Sequence, residues 1–177
     1  MEITMQKITP FLWFEDQAEG AVKFYTSIFK NAKTGSISRY EESGAAASGR
    51  PEGSVMTASF SIEGQEFVIL NGGPVFKLNP SVSFFLNFDP SKVKDARGEI
   101  DILWEKLSQE GSALMPLDKY PFSERYGWIQ DKYGVSWQIV PTALGSLLGG
   151  PDPEKSRRTM KAMLQMKKLD IAKLQQA

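Results

Sequence analysis

Gly127-Trp128-Ile129-Gln130-Asp131-Lys132-Tyr133-Gly134-Val135-Ser136-Trp137-Gln138-Ile139-Val140-Pro141 reads as two strands joined by a tight turn. After Gly134 the side chains alternate. Val135, Trp137 and Ile139 take one face, and Ser136, Gln138 and Val140 take the other. Asp131-Lys132-Tyr133-Gly134 is the turn, with glycine where a positive φ is needed.

Working outward, the chain shows two copies of one unit. In the first, Ile8–Phe14 is predicted as a strand and Asp16 as the cap of a helix. That helix carries Ala18, Ala21, Val22 and Tyr25 on one stripe, extended by Ile28 and Phe29. Strands follow over Lys33–Tyr40, Val55–Ile62 and Gln65–Asn71, with Glu63-Gly64 as a hairpin turn. Glu42–Gly53 is small and polar and reads as a mobile loop. In the second, Ser81–Phe88 is a strand, residues 89–98 a polar connection, and Ile100, Leu103, Trp104 and Leu107 a helical stripe ended by Gly111 at C′. Leu114–Leu117 is a short strand, Asp118–Glu124 a loop, and the opening hairpin closes the unit. The strand openings Thr9-Pro-Phe-Leu-Trp-Phe and Ser83-Phe-Phe-Leu-Asn-Phe are alike. The expected organisation is therefore α+β: two βαβββ modules over about residues 7–71 and 82–141, within a domain spanning 1–141. Residues 142–177 form a helical extension. There, one short helical turn and a Gly-Gly-Pro break lead to a helix start at Asp152-Pro153-Glu154. Met160, Met163, Leu164, Leu169, Ile171 and Leu174 line that helix, which docks on its own domain, embraces a partner subunit or is a free tail.

Composition removes several function classes. Of 177 residues, 41% are hydrophobic and 24% charged, and 21 basic residues balance 21 acidic ones. No charge excess draws nucleic acid or anionic lipid. No apolar run approaches the ~20 residues that span a bilayer. The first residues lack the basic-then-apolar pattern of an export signal, so a cytoplasmic location is expected. There is no cysteine and no histidine. Disulfides, thiolate nucleophiles, Ser-His-Asp triads and histidine-containing zinc or iron sites are thereby excluded.

Four stretches in order carry a family resemblance. They are ITPFLWF followed by Ala21-Val22-Lys23-Phe24-Tyr25, then Phe67–Pro74 (FVILNGGP), Ser81–Phe84 (SVSF), and Gly127–Pro141. Together they resemble the PhnB-like branch of the vicinal-oxygen-chelate (VOC) superfamily, which holds glyoxalases, extradiol dioxygenases and bleomycin-resistance proteins. The C-terminal DPEK…MLQMKK segment is similar to that branch too. The resemblance implies a cup-shaped mixed sheet open at a central cavity, and a homodimer. Metal-dependent members place ligands at positions that fall here on Thr9, Leu70, Ser83 and Gln138. None of these is His, Glu or Asp, so no metal and no cofactor are expected. The family label of demethylubiquinone methyltransferase implies S-adenosylmethionine. That cofactor calls for a strand–glycine loop–helix unit, and Gly72-Gly73-Pro74 leads instead toward another strand.

By strand parity the cavity is lined by Thr9, Phe11, Trp13, Leu70, Ser83, Phe85, Asn87, Trp128 and Gln138. Trp104 and Trp137 belong to the core on the opposite face. Such a lining suits a flat apolar or aromatic small molecule, held by wide apolar contact and oriented by a few polar groups. The competing readings are four. The aromatics simply fill the cup; or a metal-dependent lyase, isomerase or dioxygenase uses carboxylates such as Asp131, Asp89 or Glu66; or the protein sequesters a drug in the bleomycin-resistance manner; or it is the methyltransferase of the family label.

Overall fold

The computed structural model describes residues 6–89, 94–120, 123–141 and 152–165. The chain divides into two compact units, Met1–Asn79 and Pro80–Ala177. Each holds a four-stranded mixed sheet.

The first unit runs β1 (Phe11–Phe14), α1 (Ala18–Ile28), β2 (Ala32–Arg39), α2 (Glu42–Ser48), β3 (Val55–Ile62) and β4 (Gln65–Asn71). Its strand order is β1-β4-β3-β2, with β1 parallel to β4 and the other pairs antiparallel. α1 covers one face. Ala18, Ala21, Val22 and Tyr25 from the helix are buried against the side that carries Phe60, Ile62, Phe67 and Ile69. Tyr25 stacks on Phe60 at 5.4 Å, and Phe60 on Phe67 at 5.1 Å. The β3–β4 turn is the expected Glu63-Gly64, both with positive φ (51° and 82°), as a two-residue hairpin of this twist requires.

Three expectations need correction here. β1 begins at Phe11 rather than Ile8. Asp16 does not cap α1. The helix starts one residue after Gln17 with no cap from its own chain start, and the Ala18 amide donates instead to Asn71 Oδ1 at 3.0 Å. Residues 42–53 are not one loop: Glu42–Ser48 is helical, and Gly49 ends it at φ 68° with its amide on the Ala45 carbonyl. Alanine's high helix propensity outweighs the small-residue composition there.

The second unit runs β5 (Phe84–Phe88), α3 (Ala96–Ser108), β6 (Ser112–Tyr120), β7 (Ser123–Gln130), β8 (Ser136–Pro141) and α4 (Pro153–Gln165). The order β5-β8-β7-β6, with β5 parallel to β8, repeats the first sheet. Ile100, Leu103 and Leu107 of α3 are buried, as are Ile129, Trp137 and Ile139 of the sheet. Here too the strand start moves inward, from Ser81 to Phe84. The connection into α3 ends earlier than expected, because Asp95 caps the helix by accepting from the Gly98 amide at 2.9 Å. The helix does not end on Gly111. Glu110 takes the left-handed turn at φ 60°, and a Cβ at Gly111 would lie 2.7 Å from the Leu107 carbonyl. β6 runs through to Tyr120, where a four-residue strand and a loop were expected. Its ladder with β7 shifts register three times, which blurs the period-two pattern in the sequence.

The β7–β8 turn is held by Asp131, which is buried. Its carboxylate accepts the amides of Tyr133 (2.9 Å) and Val135 (3.0 Å) and the Trp137 indole N–H (2.8 Å). Gly134 supplies φ 85°. Gly127 on β7 lets α3 approach, since a Cβ there would lie 2.4 Å from the Trp104 ring. α4 starts as expected, with Asp152 accepting the Glu154 amide at 3.0 Å. Met160 and Leu164 on it are exposed. The side chain of Met163, and Leu169, Ile171, Leu174 and the short turn before α4, lie outside the described residues.

Candidate functional site

Each sheet has one face under its helix and one turned away from it. The expected lining residues fall on the second kind of face in both units, apart from Thr9 and Ser83, which precede the strands. In the first unit β1 pairs with β4 so that Phe11 faces Val68 and Trp13 faces Leu70. Phe11 is 59% exposed, while its neighbours Leu12 and Phe14 are buried. Trp13 is fixed by its indole N–H, which donates to the Gly73 carbonyl at 2.8 Å, and by an edge-on Phe76 at 4.9 Å. The glycine pair has a local purpose: a Cβ at Gly72 would sit 2.2 Å from the Trp13 ring. Beyond Leu70 the same face carries hydroxyls. Thr57 lies opposite Leu70 and shares a 2.6 Å hydrogen bond with Ser38.

In the second unit Phe85 faces Gln138, and Gln138 faces Trp128. Phe85 is 51% exposed, and Trp128 and Gln138 are half-buried. Asn87 is exposed at the end of this row, opposite Val140. The polar groups form a chain. The Tyr126 hydroxyl donates to Gln138 Oε1 at 2.7 Å, and Gln138 Nε2 donates to Ser83 Oγ at 2.6 Å. The Trp128 indole N–H donates to Ser136 Oγ at 2.8 Å. Burial, with a smaller push from the neighbouring Tyr120, raises the Tyr126 hydroxyl above its usual pKa, so it stays protonated at neutral pH.

Tyr126, Ser136 and Met115, which lies opposite Trp128, are absent from the expected lining. The signal for Tyr126 was present: it stands two residues before Trp128 and so shares its face. Starting that strand at Gly127 hid it. Asp118 was hidden likewise by the loop reading of residues 118–124. It lies opposite Tyr126 and puts a carboxylate at the border of the row.

The donor set does not fit a divalent cation. The internal repeat pairs Phe11 with Val68 as it pairs Phe85 with Gln138, so Val68, not Leu70, is the counterpart of Gln138. Both are hydrocarbons. Both ends of the Gln138 amide are taken by Tyr126 and Ser83, and the Thr9 hydroxyl accepts from Gln6 Nε2 at 3.3 Å. Among the described residues no three His, Cys, Asp or Glu side chains cluster as a metal set requires. A nucleotide-type cofactor fares no better at Gly72-Gly73: the loop runs on to β5, not into a helix, and its shape serves Trp13.

Comparison with known proteins was made on this basis. The model of the 3-demethylubiquinone-9 3-methyltransferase family matches residues 6–140. No curated protein matches the chain. Among solved structures, a PhnB protein of Bacillus cereus that bears the same family name is 43% identical. The match covers 77% of this chain and 99% of that one, with a TM-score of 0.66. The protein PA1353 of Pseudomonas aeruginosa is 20% identical over 77% of this chain and 98% of its own, with a TM-score of 0.60, and shares the fold.

Proposed function

Because the chain belongs to the 3-demethylubiquinone-9 3-methyltransferase family, the PhnB-like branch of the VOC superfamily, we propose that it binds a flat apolar or aromatic small molecule, without a metal, on sheet faces of the kind this fold leaves uncovered. The observation that carries the reading is Phe85. A phenylalanine 51% exposed beside an amide already held in place, with the half-buried Trp128 on the far side of that amide, is surface that a ligand would cover with gain. Aromatic contact supplies affinity there, and the Tyr126–Gln138–Ser83 chain supplies orientation. The proposed lining is Ser83, Phe85, Asn87, Trp128 and Gln138, joined by Tyr126. In the first unit Thr9, Phe11, Trp13 and Leu70 form the equivalent set. The family name describes methyl transfer, but neither the glycine pair nor the polar chain supplies the features that reaction needs, and binding is the activity proposed. A homodimer is part of the proposal, resting on the family resemblance and on the exposed Met160 and Leu164 of α4.

Equilibrium dialysis against 2-ethylnaphthalene tests the binding. The expected result is saturable uptake of one molecule per site. Phe85→Ala should weaken it by about 1 kcal/mol, the value of one aromatic contact. Uptake that rises linearly with probe concentration, or is indifferent to Phe85→Ala, sinks the reading. Light scattering should give twice the 19.7 kDa chain mass; a monomer removes the dimer.

A further inference from the structure

α4 lies beyond residue 140, where the match to the family model ends. The Bacillus cereus protein spends 99% of its length on 77% of this chain, which leaves it almost nothing to form such a helix. The family fold is built without α4. Charge sets the segment apart as well. Residues 151–177 hold seven basic and three acidic side chains, whereas residues 1–150 hold 14 and 18. A chain with no net charge is thus an acidic body carrying a basic arm.

α4 has two unlike sides. Thr159 is fully buried, so the helix is seated on that side. Arg157, Met160, Lys161 and Leu164 fall at i, i+3, i+4 and i+7 and share the opposite side. All four are exposed, Leu164 at 77%, and Lys161 has no ion-pair partner among the described residues. The result is an open ridge of two apolar side chains flanked by two cations.

Opposite charge gathers at one end of the first sheet, around Asn71. The Gly73 amide donates to the Glu15 carbonyl at 3.1 Å, the Tyr40 hydroxyl to the Asn71 carbonyl at 2.8 Å, and the Gly53 amide to the Tyr40 carbonyl at 2.8 Å. These bonds bring Glu15, Asp16, Glu41, Glu42 and Glu52 to that end. All five are exposed, and none has an ion-pair partner among the described residues. Arg39 and Arg50 of the same segments offset two of the five charges.

A basic apolar ridge suits nucleic acid, anionic lipid or an acidic protein surface. The first two would repel the acidic body that travels with the arm. Residues 151–177 also hold no Trp, Tyr or Phe to anchor in a bilayer interface. A second copy of the chain brings the complementary charge itself, and the adaptable Met160 side chain suits an irregular seat.

We propose that α4 is an arm that clasps a second copy: its Arg157–Met160–Lys161–Leu164 ridge docks on the acidic Asn71 end of that copy's first sheet. By twofold symmetry each chain gives one arm and receives one. This rests on the homodimer reading above and names the surfaces that make it.

Sedimentation equilibrium of the full chain gives the dimer Kd. Arg157→Glu with Lys161→Glu reverses the arm, and Glu41→Lys with Glu42→Lys reverses the seat. All four side chains are exposed, and thermal melts check that the fold is kept. Either pair should weaken the dimer about tenfold, with a larger effect at ~50 mM than at ~500 mM salt. An equal mixture of the two variants should restore the wild-type affinity, because the reversed arm then meets the reversed seat while the two native surfaces meet on the other side. An unchanged Kd in both variants, or a mixture that recovers nothing, overturns the clasp and leaves the homodimer standing. A monomeric wild-type chain removes both readings; if that monomer also floats with vesicles of phosphatidylcholine and phosphatidylserine, the ridge is a lipid-binding surface instead.

Discussion

Two amides show how the same chemistry serves different ends at the scale of a residue. Asn71, at the end of β4, is buried. It accepts the Ala18 amide at the start of α1 and donates to the Val55 carbonyl at 3.1 Å, while its own carbonyl accepts the Tyr40 hydroxyl at 2.8 Å. Gln138 sits on the opposite, open side of its sheet, is itself half-buried, and bonds the buried Tyr126 hydroxyl and the half-buried Ser83. Asn71→Ala should therefore lower unfolding stability by about 2–3 kcal/mol, because it strands a buried amide and a buried carbonyl. Gln138→Ala should cost less than about 1 kcal/mol of stability, and Trp137→Ala about 3–5 kcal/mol as a core truncation. Urea unfolding of the three variants checks the order; a Gln138 effect as large as that of Trp137 would mean the two faces of β8 are misassigned. Gln138 was legible because strand parity is local. Asn71 was not: it caps a helix 53 positions away, and Asp16 offered a nearer cap that the backbone does not use.

Elements with strict period were read correctly, and those with mixed signals were not. β3 and β4 match their expected bounds to the residue, since alternation, a two-residue turn and a glycine all agree. β6 was read as half its length because Pro116 and the register shifts interrupt the alternation. α2 was read as loop because alanine and serine pack little surface, although they form helix readily. α3 began four residues earlier than its apolar stripe, at a cap the stripe does not report. That cap carries the prediction for this scale. Asp95→Ala should lower the thermal midpoint by an amount equivalent to about 1 kcal/mol, and Asp95→Asn should retain most of it, since either oxygen accepts from the Gly98 amide.

The duplication is the feature of the whole molecule that the sequence stated most plainly, because two sheets with one strand order require the same alternation twice. The candidate lining could be read only on the strands whose parity was clear, so the sequence put Phe85, Trp128 and Gln138 on one face, as the register has them, and left out Tyr126. Among the described residues no helix is long and apolar enough to cross a membrane. The composition also fixes the response to pH. With 0 histidines, no imidazole titrates near neutrality. Burial raises the hydroxyls of Tyr126 and Tyr133 above the ordinary tyrosine value of about 10. The folded state thus holds these protons more tightly than the unfolded chain. Their contribution is complete below about pH 10 and is lost as pH rises through the raised values. Thermal melts from pH 8 to 11 should fall only at the alkaline end, and Tyr126→Phe should flatten part of that fall. An unchanged alkaline slope in Tyr126→Phe would show that the ionisation of other groups dominates it.

The indole N–H of Trp137, sealed under α3 and bonded to the Asp131 carboxylate, is a built-in clock. In heavy water it can trade its proton for deuterium only when the second unit opens, whereas the half-buried Trp13 indole, bonded to the Gly73 carbonyl, is released as soon as that loop lifts. One indole therefore keeps an isotopic record of a whole unit coming apart, and the other of a single loop.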